Sequence, residues 1–104
     1  MSCGTAQLVW PDKDPGDTLD FELKAEDAIP SGDTIQTIGV AIANVTVPPL
    51  TNPTNAVDAG GRTAIIWLAG GLVGEDYEIV VTLTTNSTPN RVIERTVLLQ
   101  VRDQ

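Results

Sequence analysis

The sequence IIWLAGGLVGEDY, from Ile65 to Tyr77, joins an apolar run, a glycine-rich corner and a tyrosine that opens a second apolar segment. From Tyr77 to Thr85, apolar side chains alternate with more polar ones, which is the period of a strand buried on one face. A tyrosine at the start of such a strand can bury its ring while its hydroxyl bonds to the backbone of the preceding turn, as in the tyrosine corner of immunoglobulin-like domains. The stretch therefore predicts an all-β fold, an immunoglobulin-like antiparallel β-sandwich.

Length and charge restrict the class of protein. The chain has 104 residues, of which 41% are hydrophobic, enough for one domain with one core. Fourteen acidic against six basic residues give a net charge of −8, which opposes binding to nucleic-acid phosphates and to anionic membrane surfaces. The single Cys3 cannot form an intramolecular disulfide, and neither a secretory signal nor a membrane-spanning run is recognisable. We expect no nucleic-acid partner, no membrane partner, and synthesis in a cytoplasm.

Turn residues and apolar periodicity divide the chain into an arm and one domain. Residues 1–17, with Pro11, Pro15 and Gly16, are predicted as an N-terminal arm, and residues 18–104 as a single immunoglobulin-like β-sandwich domain. The prolines between residues 48 and 62 predict a long connection with at most a short edge strand. Strands are predicted over residues 19–24, 34–47 (one strand or two), 63–69, 76–85 and 91–102.

Several residues are assigned to the framework of this sandwich. The core assignment covers the large aromatic side chains Phe21, Trp67 and Tyr77, and truncating either of the last two to alanine is expected to cost about 3–5 kcal/mol. The tight corner is assigned to Gly70, Gly71 and Gly74, since side chains would clash there. Within the strands, Gly39 is a candidate bulge, and Arg95 is either a bulge or a basic side chain that reaches solvent.

Catalytic and metal-binding residue patterns are scarce in this sequence. The chain has no histidine, which removes histidine-dependent nucleophilic sites and most zinc sites. Five carboxylates near the start could in principle surround a hard cation, but their spacing matches no calcium loop, and a solvated acidic surface is the favoured interpretation. They are Asp12, Asp14, Asp17, Asp20 and Glu22. We therefore expect no enzyme, no cofactor and no metal.

An ordered set of short motifs resembles small bacteriophage structural proteins known as fibre-tail adaptor proteins. The set consists of KDPGD at 13–17, LDF at 19–21, SGDTI at 31–35, WLAGG at 67–71 followed by Gly74 and Tyr77, TLTT at 82–85 and ERT at 94–96. The sequence differs from the pattern in having no tryptophan after the first strand or after residue 35. The resemblance implies a non-enzymatic virion component, located in the tail or neck, that joins tail, connector or fibre proteins and forms a homo-oligomeric ring.

Loops and exposed rings supply the candidate contact residues of such an adaptor. We expect contacts from the arm Ser2–Pro15 and from the stretch Pro48–Asn55, because both should lie outside regular pairing. The individual candidates are Trp10, Pro11, Pro48, Pro49 and Pro53. The alternative function is an immunoglobulin-like adhesion or carbohydrate-binding module, for which Trp10 is the one credible exposed aromatic ring.

Overall fold

A computed structural model describes residues 8–25, 28–30 and 32–102, which form two β-sheets packed as a sandwich. The strands are β1 (Leu8–Val9), β2 (Thr18–Lys24), β3 (Ile35–Ile42), β4 (Leu50–Thr51), β5 (Asn55–Val57), β6 (Thr63–Gly70), β7 (Asp76–Thr85) and β8 (Val92–Gln100). Across these described ranges there is no helix, and so none that could cross a membrane. The predicted all-β fold is confirmed.

The two sheets divide the strands in a non-sequential order. One sheet has the order β1-β8-β7-β3 and the other β2-β6-β4, with β5 also paired to β6. Every pair is antiparallel except β1 and β8, which run parallel. In immunoglobulin-like sandwiches, strands B and E share one sheet and strands C, F and G share the other. The separation of β2 and β6 from β3, β7 and β8 is compatible with that layout.

The core lies between the sheets and follows the alternation of β7. Its inward positions Tyr77, Ile79, Val81 and Leu83 have no exposed surface, while the residues between them face outward. The opposite sheet contributes buried apolar side chains from β2 and β6, including Phe21. Burying an aliphatic or aromatic side chain contributes about 1.5–3 kcal/mol. This shared apolar layer holds the sheets together.

Trp67 lies outside that core. Strand β6 buries Ala64, Ile66 and Leu68, so Trp67 is on the opposite, outer face and is only partly buried. The predicted core position of Trp67 is therefore wrong. The run IIWL is apolar at every residue, so the sequence does not show which of its residues face inward. Such a run contains no alternation, and a shift of one residue exchanges the two faces of a strand.

Trp10, and not Trp67, is the tryptophan that is buried in the core. Its side chain is 8% exposed, and its ring stacks on Phe21 with the ring centroids 5.1 Å apart. The indole Nε1 donates a hydrogen bond to the Glu22 backbone oxygen at 3.0 Å. The prediction of an exposed Trp10 is wrong, because β1 pairs with β8 and brings the following residue over the core.

The segment before β2 is part of the sandwich from Leu8 onward. Beyond β1, the Lys13 backbone N–H bonds to the Gln100 oxygen at 3.0 Å, and the Arg102 N–H bonds to the Lys13 oxygen at 2.9 Å. Within the predicted arm of residues 1–17, residues 8–13 are therefore paired through their backbone with residues 97–102 and belong to the sandwich. Residues 1–7 lie outside the described residues.

Two further details differ from the prediction, and a third selects one of its two alternatives. Strand β3 ends at Ile42, and the connection after it contains two short strands, β4 and β5, where at most one was expected. The irregularity in β3 lies between Ile35 and Thr37, whereas Gly39 pairs regularly with Thr82. Arg95 pairs in register with Val81 and is exposed, so it is the solvent-reaching residue of the two alternatives.

Candidate interaction surfaces

One end of the sandwich is organised around the hydroxyl of Tyr77. This oxygen accepts a hydrogen bond from the Leu72 backbone N–H at 2.9 Å, which is the bond expected for a tyrosine corner. Thr46 Oγ1 donates to the Pro48 oxygen at 2.8 Å, so the single proton of the Tyr77 hydroxyl is donated to Thr46 Oγ1 at 2.5 Å. The chain of three hydrogen bonds joins loop 43–49 to loop 71–75. We call these two loops together the corner end.

The three corner glycines share a left-handed backbone conformation, and two of them also lie against neighbouring groups. At Gly70, where φ is 76°, an added Cβ would lie 2.7 Å from the Pro49 backbone oxygen. At Gly71, where φ is 104°, it would lie 3.0 Å from Val101 Cγ2. Gly74 has φ 90° but open space around it, so only its left-handed conformation favours glycine. The proline-rich connection and the glycine corner therefore pack as one unit.

A buried lysine, Lys13, connects the segment before β2 to the corner end through hydrogen bonds. Lys13 has no exposed surface, and its Nζ donates to the backbone oxygens of Gly70 at 2.7 Å and Asp14 at 2.8 Å. Burial lowers the pKa of Lys13, while the charges of Asp17 and Asp14 act in the opposite direction. Sequence reasoning missed this role because Lys13 stands among aspartates and no local pattern shows that it reaches residue 70.

The corner end presents apolar side chains to solvent. Val45 is 95% exposed and Val47 is 88% exposed, while Leu72 and Val73 on the facing loop are also exposed. Exposed apolar groups that cluster on rigid loops mark protein-contact surfaces more often than isolated ones do. The corner end is thus a candidate surface for a protein partner.

The five residues predicted as partner contacts do not lie together. Pro48 and Pro49 are exposed within the corner end, next to the exposed valines. Pro11 is exposed after β1, and Pro53 is exposed between β4 and β5. Trp10, being buried in the core, is not available as a contact residue.

A polar network closes the opposite end of the sandwich. Asp33 Oδ1 accepts the Thr34 backbone N–H at 2.9 Å, and Asp33 Oδ2 lies 3.2 Å from Arg91 Nη1. Desolvation acts to raise the pKa of Asp33, but hydrogen bonds from Thr85, Thr34, Ser87 and Arg91 outweigh it and hold that pKa below its usual value. The network joins the loop before β3 to the loop between β7 and β8, which is a structural role.

The predicted acidic cluster does not form a cation site in the described part of the chain. Asp14 Oδ1 accepts the Gly16 backbone N–H at 2.8 Å, and Asp20 and Glu22 lie on the exposed face of β2. Nowhere in the described ranges do three or more His, Cys, Asp or Glu side chains group closely enough to hold a metal ion. Cys3 is outside those ranges.

Comparison with known proteins identifies the class of molecule to which these surfaces belong. The family described as podophage GP4 fiber-tail adaptor protein gp77 matches residues 13–100. Because the match covers most of the chain, this protein belongs to that family, as the motifs from residue 13 onward predict. No curated protein matches the chain. The protein is a structural component of a phage tail that binds other tail or fibre proteins.

Proposed function

We propose that this chain is a non-enzymatic adaptor that joins the tail or connector of a podophage virion to a fibre or another neighbouring tail protein. The match to the adaptor family from residue 13 to residue 100 is the observation that carries the proposal. The geometry is compatible with it, since the described residues include hydrogen-bonded loops and a sheet edge without a partner strand. The chain is made in the host cytoplasm and acts in the tail or neck of the particle.

The corner end is the surface that contacts the neighbouring protein. Its two loops are joined through Tyr77, so binding orders little additional backbone and loses little conformational entropy. Val45, Val47 and the adjoining prolines supply apolar contact area. The stretches Ser2–Pro15, apart from the buried Trp10, and Pro48–Asn55 supply further contacts. The acidic charge of the chain favours a partner with an apolar centre and a basic rim.

Several copies of the chain form a ring around the tail axis. A tail is built around an axis, and a contact repeated by rotation about an axis closes a ring of identical copies. The loops at one end of a rigid sandwich can then face the next component of the tail together, which multiplies weak contacts.

Quantitative mass spectrometry of purified virions tests the proposal. We expect a low, fixed number of copies per particle relative to the major capsid protein. Absence from particles would instead indicate an assembly factor and contradict the proposal.

A complementation assay tests the corner end. In a phage that lacks this chain, supplying the Val45→Ser/Val47→Ser double variant should reduce infectious particles. The matched control Val92→Ser changes an exposed valine that is 66% exposed and lies away from the corner end, and it should complement fully. Equal titres from both variants would exclude the corner end as the contact surface.

The alternative function, an adhesion or carbohydrate-binding module, is not supported by the position of Trp10. It depended on Trp10 as an exposed ring for stacking on sugars, and that ring is buried against Phe21.

A further inference from the structure

The outer edge of β3 lacks the protection that the other sheet edges have. Exposed strand edges pair with other chains unless charges, prolines, short length or a covering segment prevent it. Edge strand β2 carries Asp20, Glu22 and Lys24, while β4 and β5 are two and three residues long and flanked by prolines. Strand β8 is paired with β1. It also carries the charged Arg95 opposite the core-facing Val81, and an inward-directed charge of this kind discourages pairing with another chain. Strand β3 has an irregularity at its start, between Ile35 and Thr37, and the short strand β5 lies beside this start across a groove, but β3 itself carries no charge and no proline.

The strand β3 lies within the longest uncharged part of the sequence. From Thr34 to Val57 there is no Asp, Glu, Lys or Arg, although the chain carries a net charge of −8. Two copies of an acidic protein repel least where neither presents charge. The same segment also lines a groove of about 430 Å³ beside β3, between Gln36–Ile38 and Asn55–Val57. The β3 edge of one copy therefore presents no charged side chain of its own to the same edge of a second copy.

Backbone geometry shows which groups β3 offers to such a partner. The Ala43 N–H donates to the Glu78 oxygen, toward β7, at 3.0 Å. Hydrogen-bonding directions alternate along an antiparallel strand, so Gly39 and Ala41 also face β7. Ile38, Val40 and Ile42 then direct their N–H and C=O groups to the outer edge, and no strand among the described residues pairs with that edge.

From these observations we propose that two copies of this protein pair antiparallel through β3, with Gly39 opposite Gly39 of the second copy. In this register Ile38 lies opposite Val40 and Thr37 lies opposite Ala41, so apolar residues meet on the inner face and small ones on the outer face. Both copies use the same edge, which makes the contact self-complementary and closed. The pairing covers the unprotected edge of the free protein. It is separate from the ring proposed above, which needs a different, head-to-tail contact.

Disulfide trapping tests the register in the full-length chain. In a Cys3→Ser background, Gly39→Cys places two thiols at a non-hydrogen-bonded pair, where Cα atoms are about 4.5 Å apart and a disulfide can form. An added Cβ at residue 39 meets nothing closer than 3.8 Å, so the variant fits the fold. Ala41→Cys is the matched control, because its two copies would be about 14 Å apart along the paired strands. We expect a covalent dimer from Gly39→Cys alone.

Sedimentation of the pure wild-type protein supplies a second, independent test. We expect a dimer whose population rises with protein concentration and whose dissociation constant is below about 1 mM, the range of effective concentrations within assemblies. Val40→Pro removes an N–H from the outer edge but none from the β7 pairing, and should raise the dimer dissociation constant about tenfold while the chain still unfolds cooperatively. A monomer up to that concentration, or equal trapping at residues 39 and 41, overturns the pairing. Neither result concerns the presence of the chain in virions, so the adaptor function is judged separately.

Discussion

Replacing Tyr77 with phenylalanine should destabilise the protein without disturbing its core. The ring has no exposed surface and phenylalanine fills nearly the same volume, so the apolar packing is retained. The lost hydroxyl makes two hydrogen bonds, with the Leu72 N–H and with Thr46 Oγ1. At about 1 kcal/mol for each bond, the free energy of unfolding should fall by about 2 kcal/mol. For a domain of this length the midpoint of thermal unfolding should fall by about 8–10 °C.

Urea unfolding followed by circular dichroism measures this change. The midpoint concentration should fall while the slope m stays constant, since the surface exposed on unfolding is unchanged. Thr82→Val, on the outer face of the same strand, is the control and should change stability by less than about 0.5 kcal/mol. A Tyr77→Phe protein as stable as that control would refute the tyrosine-corner argument.

A double-mutant cycle isolates the bond between the two loops of the corner end. Thr46→Val removes the same Tyr77–Thr46 hydrogen bond from its other side. The double variant should therefore lose about 1 kcal/mol less than the sum of the two single variants. Strict additivity would mean that Tyr77 and Thr46 do not interact in solution.

Three further predictions concern other parts of the fold. Gly70→Ala should destabilise by about 1–2 kcal/mol more than Gly74→Ala in urea unfolding. Both variants introduce left-handed strain, but only the Cβ added at residue 70 would lie 2.7 Å from a backbone oxygen, that of Pro49. Equal losses would contradict that contact. The pKa of Asp33 is lower in the folded state than the ordinary carboxyl value of 3.8, so its ionised carboxylate stabilises the fold at pH values above 3.8. This stabilisation is lost as the pH falls through the folded-state pKa. Thermal melts below pH 4 should therefore show a shallower loss in Asp33→Asn than in the wild type, and parallel curves would exclude the effect. Trp67→Ala should cost clearly less than the roughly 3–5 kcal/mol of a fully buried aromatic residue, whereas Trp10→Ala should reach that range; the reverse order would restore Trp67 to the core.

The β7 region could be predicted because its determinants are local. Tyr77, Ile79, Val81 and Leu83 alternate with more polar residues, and a period of two places them on one face whatever the partner strand is. A tyrosine five residues after Leu72 can reach that residue's N–H within a single turn, and the structure shows this bond. The lack of regular pairing at Pro48 and Pro49 follows equally from the sequence, since proline cannot donate to a sheet ladder.

The sequence by itself therefore determined the all-β class, the strand over residues 76–85, the glycine corner and, through the motifs from residue 13 onward, the adaptor family. Only the tertiary structure decided which tryptophan is buried and what Lys13 bonds to. The physical reason is that these outcomes depend on pairings between distant residues, such as Leu8 with Val97 and Lys13 Nζ with the Gly70 oxygen. A continuous apolar run such as IIWL is compatible with either face, and the sheet register selects one.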